Sequence, residues 1–353
     1  MKSNFTTTLL HWHTHTNTRE MPWKGEKDPY KIWLSEIILQ QTRVEQGLAY
    51  YNTFIQAYPT VFDLAKAKEQ TVFKLWEGLG YYNRCRNLLF TAKEIVSKYK
   101  GVFPKEYETL LTLKGVGPYT AAAIASFAFN APHAVLDGNV FRVIARYEGI
   151  DVPTDSSAGK KIFETRAAAL LDKKRAGLYN QAIMDFGATV CKPLAPTCTI
   201  CPLQKTCVAH ATAQVNQLPI KEKQLIKKER RLYYFLLQVK DEIWVTERKH
   251  KDIWQGLFEF YVLDAGKKIG WNEVSTKQFL KEQLGVSSIQ LLDRSSDIKQ
   301  QLTHQIVTAQ FIRIALTKKP ATMTAGKWQK ISKLKALPFP KLINQYFNEE
   351  FVW

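Results

Sequence analysis

Between residues 29 and 211, apolar positions recur every three or four residues, the spacing that lines one face of a helix. "PYKIWLSEIILQQTRVEQGLAYYNTFIQAY" opens with Pro29, suited to a first helical turn, and reads as helix for several turns. "TVFKLWEGL" and "RNLLFTAKEIVSKY" keep the same period, and "GVFPKEYETLLTL" reads as a loop leading into a short helix ending at Leu113. Alternating, strand-like patterns are scarce there. Near residue 216 the pattern changes. "NQLPIKEKQLIKKERR" is polar, basic and broken by Pro219, the composition of a linker. Beyond it, "LYYFLLQV" and "EIWVTERK" flank Lys240 and Asp241 as strand, tight turn and strand. "GLFEFYVL" and "TAQFIRIAL" add strands, while "VSTKQFLKEQL" and "FPKLINQYF" read as helices. The fold class is therefore multidomain: an all-α region over 1–215, a basic linker over 216–230 and an α+β domain over 231–353.

Composition agrees with more than one folded unit. The chain has 353 residues, 45% of them hydrophobic, enough for real cores. No apolar run reaches the roughly 18 residues of a membrane span. The N-terminus lacks the apolar region of a signal peptide, so a cytoplasmic protein with no membrane partner is expected. A formal charge of +18 points to a polyanionic partner, and no basic amphipathic anchor favours membrane over nucleic acid. The plainer alternative is a soluble basic protein.

Cys191, Cys198, Cys201 and Cys207 stand in C-x6-C-x2-C-x5-C spacing. Without an export signal, a metal site is favoured over disulfides. Zinc commonly uses two short Cys pairs, whereas only one Cys-x-x-Cys is present here. The set suits an iron–sulfur cube, with zinc as the alternative. Lys192 and Lys205 share this loop and are candidates to meet phosphates, although a purely structural staple is equally open. Cys85 stands alone and reads as a small buried residue.

"LKGVGPYTA" sets two glycines around a valine, then Pro118 at a first helical position. The turn delivers the chain into a helix N-terminus, where free amides can hold a phosphate. By itself it is as well read as an ordinary helix-to-helix turn; charge and cysteines tip the reading.

Together with "MPWKGEKDPYKIWLSEIILQQTRVE", "LWEGLGYYNRCRN", "AVLDGNVFRVIARY" and "YNQAIMDFGATVC", these stretches resemble the helix–hairpin–helix DNA glycosylases with an iron–sulfur cluster. The resemblance is to the MutY-type adenine DNA glycosylases in particular and spans about residues 20–210. It implies a helix–hairpin–helix six-helix part at about 29–135 and a cluster part from 1–28 plus 136–215. It also implies a 4Fe-4S cluster on the four cysteines. The C-terminal domain resembles, more weakly, the family's Nudix-like recognition domain.

Glu36 has Ile32, Trp33, Leu39 and Gln40 as helical neighbours, none of them a cation. A carboxyl among apolar groups keeps its proton to higher pH, although a solvated helical glutamate is the commoner case. The resemblance assigns Glu36 as general acid and base acting on adenine N7. Asp137 reads equally as a helix cap. The resemblance makes it the carboxylate near the sugar C1′, oriented by Asn139, in the manner of two-carboxylate glycosidases. Tyr119 occupies the place where strand-cutting relatives such as endonuclease III carry a Schiff-base lysine, which implies base removal without an efficient lyase step. Lys114 is close in sequence but not at that position.

Gln41 and Tyr81 match positions that fill or wedge the duplex around a flipped base, although Tyr81 and Tyr82 also read as core. Trp23, Lys24 and Gln181 match the adenine pocket. Gly115 and Gly117 match phosphate-binding amides, with basic neighbours such as Lys192. The alternating His11, His13 and His15 read as the frayed end of the first helix rather than a metal site. After "IWQGLFEFYVL" the acidic helix of Nudix hydrolases is missing, so a binding domain is expected. The family senses 8-oxoguanine through Phe-Ser-His; here Leu302, Thr303 and His304 keep the hydroxyl and imidazole but not the aromatic ring. The expectation is a monomeric, monofunctional adenine glycosylase of base excision repair, nucleoid-associated through double-stranded DNA with adenine opposite 8-oxoguanine or guanine. Its rivals are a thymine-mismatch or pyrimidine glycosylase of the same fold and a catalytically dead DNA-binding module.

Overall fold

A computed structural model describes residues 2–222, 226–286 and 288–351. The chain forms two compact units: Met1–Lys66 with Asn87–Gln224, and Ala67–Arg86 with Leu225–Trp353. Helices run in the order α1 (Lys2–His15), α2 (Pro29–Leu39), α3 (Val44–Ala57), α4 (Val61–Lys66), α5 (Glu69–Trp76) and α6 (Asn83–Tyr99). They continue as α7 (Tyr107–Leu111), α8 (Pro118–Phe129), α9 (Gly138–Glu148), α10 (Ser157–Leu170), α11 (Ala176–Thr189) and α12 (Val208–Ala211).

In the first unit Asp28 caps α2, accepting from the Tyr30 amide at 2.9 Å, with Pro29 in the first turn. The long helical reading breaks after Leu39. Gln41 is left-handed at φ 57°, and Arg43 is the extended residue just before α3. No glycine or proline marks the break, so periodicity ran across it unnoticed. From Tyr30 to Ile38, α2 is buried on nearly every side except Lys31. Its neighbour α8 presents an alanine-rich surface that permits close approach. Small residues also set the approach of α11: a Cβ on Gly177 would sit 2.6 Å from the Ser126 carbonyl oxygen, and one on Gly187 2.6 Å from the Asn139 Cβ. Residues before 29 and after 135 share one core, in which Phe5 and Leu9 join Ile144, Phe163, Phe186 and Leu203.

Two sequence expectations change here. The helix ahead of the hairpin ends at Leu111 rather than Leu113, because Leu113 already belongs to the turn. His13 is not frayed: it is buried, and its Nδ1 lies 3.0 Å from the Asn17 amide nitrogen. Within the stretch read as linker, Leu218 is buried and Ile220 accepts from the Thr154 amide at 3.0 Å.

In the second unit, the part after residue 225 is a mixed sheet packed with helices. Its elements are β1 (Lys228–Val239), β2 (Glu242–Glu247), β3 (Phe258–Glu259), β4 (Tyr261–Asp264), α13 (Glu273–Leu284), β5 (Ile289–Arg294), β6 (Ile298–Gln301), β7 (Gln305–Leu316), β8 (Lys327–Lys330) and α14 (Lys341–Glu349). The main path is β3-β2-β1-β7-β5; β4 pairs β1, β6 pairs β7 and β8 pairs β2. Strands β1 and β7 are parallel, with Tyr234 opposite Phe311. Successive β1 side chains point to opposite faces. Tyr233, Phe235 and Leu237 join a core with Leu280 of α13, while the Tyr234 ring stacks on Phe311, which stacks on Tyr346 of α14. Covering both faces explains why β1 reads as a continuous apolar run. The segment 67–86 belongs to this unit: Glu77 accepts from the Phe339 amide at 2.8 Å, and Lys74 donates to the Leu337 carbonyl at 3.3 Å.

One buried side chain holds the backbone leading to Asp137. Asn180 accepts from the Val135 amide at 3.2 Å and donates to the Ser126 hydroxyl and the His133 carbonyl, both at 2.8 Å. Asn180→Ala should therefore cost about 2 kcal/mol by leaving buried partners unsatisfied. Urea denaturation would measure it; a midpoint like that of the unchanged protein would contradict the assignment.

Candidate active site

A cavity of about 700 Å³ opens within the first unit. Trp23, Lys24, Glu36, Gln41, Tyr119, Asp137, Asn139 and Gln181 all line it, although they come from five separate parts of the sequence. Gln41, among its lining residues, is left-handed, a strained backbone of the kind found at binding surfaces.

Glu36 enters from α2 and is 6% exposed. Burial pushes its carboxyl up to about 7; a hydrogen bond with Tyr119 works against that shift, and the charge of Asp137 adds to it. The solvated alternative for Glu36 is thereby removed. Tyr119, in the first turn of α8, is held well above the ordinary phenol range by burial and by the two carboxyl groups. It is a neutral phenol that donates to Glu36.

Asp137 is both cap and site residue. It caps α9 through a 2.7 Å bond from the Val140 amide, and its other oxygen accepts from the Asn139 amide at 2.7 Å. Burial raises its pKa, while these hydrogen bonds and the Arg142 charge oppose the rise. Arg142 fixes the far side of Asn139, donating to its carbonyl oxygen at 2.8 Å, to Gly187 at 2.6 Å and to the Cys191 carbonyl at 2.7 Å.

The four clustered cysteines line a second, smaller cavity of about 30 Å³ together with Arg146. Burial, and then the neighbouring cysteines, push the Cys201 thiol up to about 11. Buried Arg146 brings Nη1 within 3.5 Å of the Cys191 sulfur and donates to the Lys192 carbonyl at 2.7 Å. Among the described residues no three His, Cys, Asp or Glu side chains are placed to hold a metal ion. The four thiols line the wall of this cavity. Four soft donors around one cavity, with a buried cation beside the Cys191 sulfur, fit an anionic iron–sulfur group.

The hairpin shows why the first of its two glycines is needed. Gly115 is left-handed at φ 82°, and a Cβ there would meet the Asn87 Cβ at 2.8 Å. Gly117 precedes α8 with open space around its Cβ position. Lys192 lies half-buried in the cysteine loop. The second unit places Tyr81 and Thr303 together: the two hydroxyls are hydrogen-bonded, with Thr303 and exposed His304 on the turn between β6 and β7. Leu302 closes that turn, its amide donating to Gln305 at 2.8 Å.

Arg142, Arg146 and Asp185 escaped the sequence reading. The two arginines stand four apart in "VFRVIARY", inside an otherwise apolar run, and that was the available signal. Asp185 gave none, because its partners Arg19 and Lys24 are far away in sequence.

Residues 34–166 match a family model described as HhH-GPD superfamily base excision DNA repair protein, and residues 233–349 match a NUDIX domain model. The adenine DNA glycosylase of Buchnera aphidicola subsp. Baizongia pistaciae is 37% identical over 257 residues, covering 72% of this chain and 73% of the relative. The adenine DNA glycosylase of Homo sapiens is 40% identical over 223 residues, covering 61% and 41%. A solved thermostable thymine-DNA glycosylase is 30% identical with a TM-score of 0.55, over 60% of this chain and 97% of that one. A non-covalent endonuclease III–DNA complex aligns at 21% identity and TM-score 0.51, over 60% and 98%, a likeness of fold. No described helix is long and apolar enough to cross a membrane.

Glu36 titrates at about 7 when folded, against an ordinary 4.5. The stability its proton confers is fully present below pH 4.5 and is lost as pH rises through about 7. Glu36→Gln should gain relative stability of up to roughly 3 kcal/mol between those limits. Chemical denaturation at acidic and mildly alkaline pH measures this; a pH-independent difference would contradict the burial of an ionisable carboxyl.

Proposed function

The chain belongs to the adenine DNA glycosylase family, DNA N-glycosylases of base excision repair, and we propose that it removes adenine paired with 8-oxoguanine or guanine by a monofunctional mechanism. The observation that carries this reading is the pairing of buried Glu36 with Asp137 in one cavity beside a tyrosine. Glu36 holds its proton near neutrality and donates it to N7 of the flipped adenine. The C1′–N9 bond then breaks with its electron pair leaving on the base. Asp137, held by Val140 and Asn139, faces the positive charge that develops on the sugar. Water adds at C1′ and gives its proton to the Glu36 carboxylate, which restores the acid.

Tyr119 supports the monofunctional part. A neutral phenol has no amine to form an imine with the sugar, so the chain is left unbroken. Pairing with 8-oxoguanine is supported by the second unit, where exposed Tyr81 and Thr303 join hydroxyls beside His304. These groups offer one aromatic surface and several polar contacts to a partner base. Leu302 can add only an apolar contact. The amides of Gly115 and Gly117, with Lys192, suit the phosphates of double-stranded DNA. Gln41 suits the space left by a flipped base, and Trp23, Lys24 and Gln181 suit the base itself. We place the enzyme in the cytoplasm as a monomer held to the nucleoid by its substrate.

The cysteine cavity with Arg146 suits a 4Fe-4S cluster held by Cys191, Cys198, Cys201 and Cys207. Such a cluster, when bound, supplies a rigid cross-link through four thiolate bonds. Arg142 and Arg146 tie α9 to the loop that carries them.

Duplexes with single mispairs test the reading. Strands should break at adenine opposite 8-oxoguanine or guanine, and only after hot alkali. Pyrimidine release, or equal breakage without alkali, would overturn it. Glu36→Gln should abolish base release while retaining DNA binding. Anaerobically purified protein should contain about four irons per chain, and one tightly bound zinc instead would refute the cluster.

A further inference from the structure

Behind one wall of the active-site cavity lies a carboxylate that the mechanism above does not use. Asp185, on α11, is fully buried. One oxygen accepts from Arg19 Nη1 at 2.9 Å and from the Gln181 side-chain nitrogen at 3.0 Å. The other accepts from Asn17 at 2.8 Å and lies 3.4 Å from the Lys24 ammonium, while His13 Nδ1 stands at 3.9 Å. Arg19, Lys24, His13 and Gln181 all line the cavity, and Asp185 does not.

The consequence concerns Gln181. A side-chain amide has one donating and one accepting end. Between a guanidinium and an ammonium, Asp185 is an acceptor, so it takes the nitrogen end of Gln181. The end left for the cavity is the oxygen. Turning the amide over would set oxygen against oxygen behind the wall.

We propose that Asp185 is a positioning residue for base selectivity: it holds Gln181 with its amide oxygen toward the cavity, so that the site takes a purine with a 6-amino group and refuses a 6-oxo purine. The inference rests on the adenine reading above. Adenine presents an N7 acceptor and an N6 donor on one edge. Protonated Glu36 meets the first and the Gln181 oxygen meets the second. A 6-oxo purine sets its carbonyl oxygen against the Gln181 oxygen, two acceptors with no proton between them. Guanine carries that same edge, so the device also refuses an undamaged guanine.

The test compares single-turnover release of adenine and hypoxanthine from duplexes differing only in deoxyadenosine or deoxyinosine opposite 8-oxoguanine. The unchanged protein should prefer adenine by about tenfold or more, since an unpaired polar group in a site built to bond it is strongly disfavoured. Asp185→Ala frees the amide to turn, so the preference should fall most of the way to unity. Asp185→Glu keeps an acceptor and should keep the preference, whatever its rate. Gln181→Leu removes the amide, leaves Asp185 in place and should also lose the preference; it decides the matter if Asp185→Ala does not fold. A purely structural role would change both rates together, and an unchanged ratio in Asp185→Ala or Gln181→Leu overturns the proposal. Equal release of both bases by the unchanged protein also overturns it and leaves the adenine reading intact. Release of neither base defeats the adenine reading itself.

Discussion

The site depends on the burial of one carboxyl group. Glu36 sits on a helix enclosed by apolar neighbours, and its ionised form is penalised by lost solvation. A second carboxyl, Asp137, lies in the same cavity and adds its charge to that penalty. Burial raises both carboxyls, but their hydrogen-bonding surroundings differ. Glu36 keeps its proton near neutral pH, while Asp137 has an amide, an asparagine and an arginine to support its charge. Under the mechanism we propose, these different surroundings suit one carboxyl to the acid role and the other to the anion role.

Holding that arrangement requires close contact between helices distant in sequence. Alanines on α8 bring Tyr119 beside Glu36, and Gly187 lets α11 meet α9 at Asn139. From Asp137 a line of hydrogen bonds runs through Asn139 and Arg142 to the Cys191 carbonyl. Placement of the carboxylate therefore depends on the loop of four cysteines, as well as on its own helix cap. Across the cavity, Asp185 gathers cations and one amide into a fixed wall. Hydrogen-bonded buried polar groups thus set much of the site.

Much of this was legible in the sequence. Helical periodicity marks the all-α region, β-rich runs mark the second domain, and the family resemblance points to eight residues that line the cavity. What escaped was non-local or locally unmarked. Gln41 breaks a helix with no glycine or proline to announce it. Residues 67–86 join the second unit through contacts with residues such as Phe339, which periodicity cannot reveal. Asp185 carries no local signal, because its partners lie near the N-terminus. His13 seemed frayed for the same reason, since what buries it is far along the chain.

The central claim is that a neutral Glu36 carboxyl, set by burial and moderated by Tyr119, delivers the proton that releases adenine. The most direct measurement is the pH dependence of adenine release at subsaturating enzyme, in the unchanged protein and in Tyr119→Phe. The rate should fall as pH rises through about 7, where Glu36 ionises. Removing the Tyr119 hydrogen bond, which lowers the Glu36 pKa, should move that fall to higher pH. A rate that stays level or rises through this range in both proteins would contradict the account.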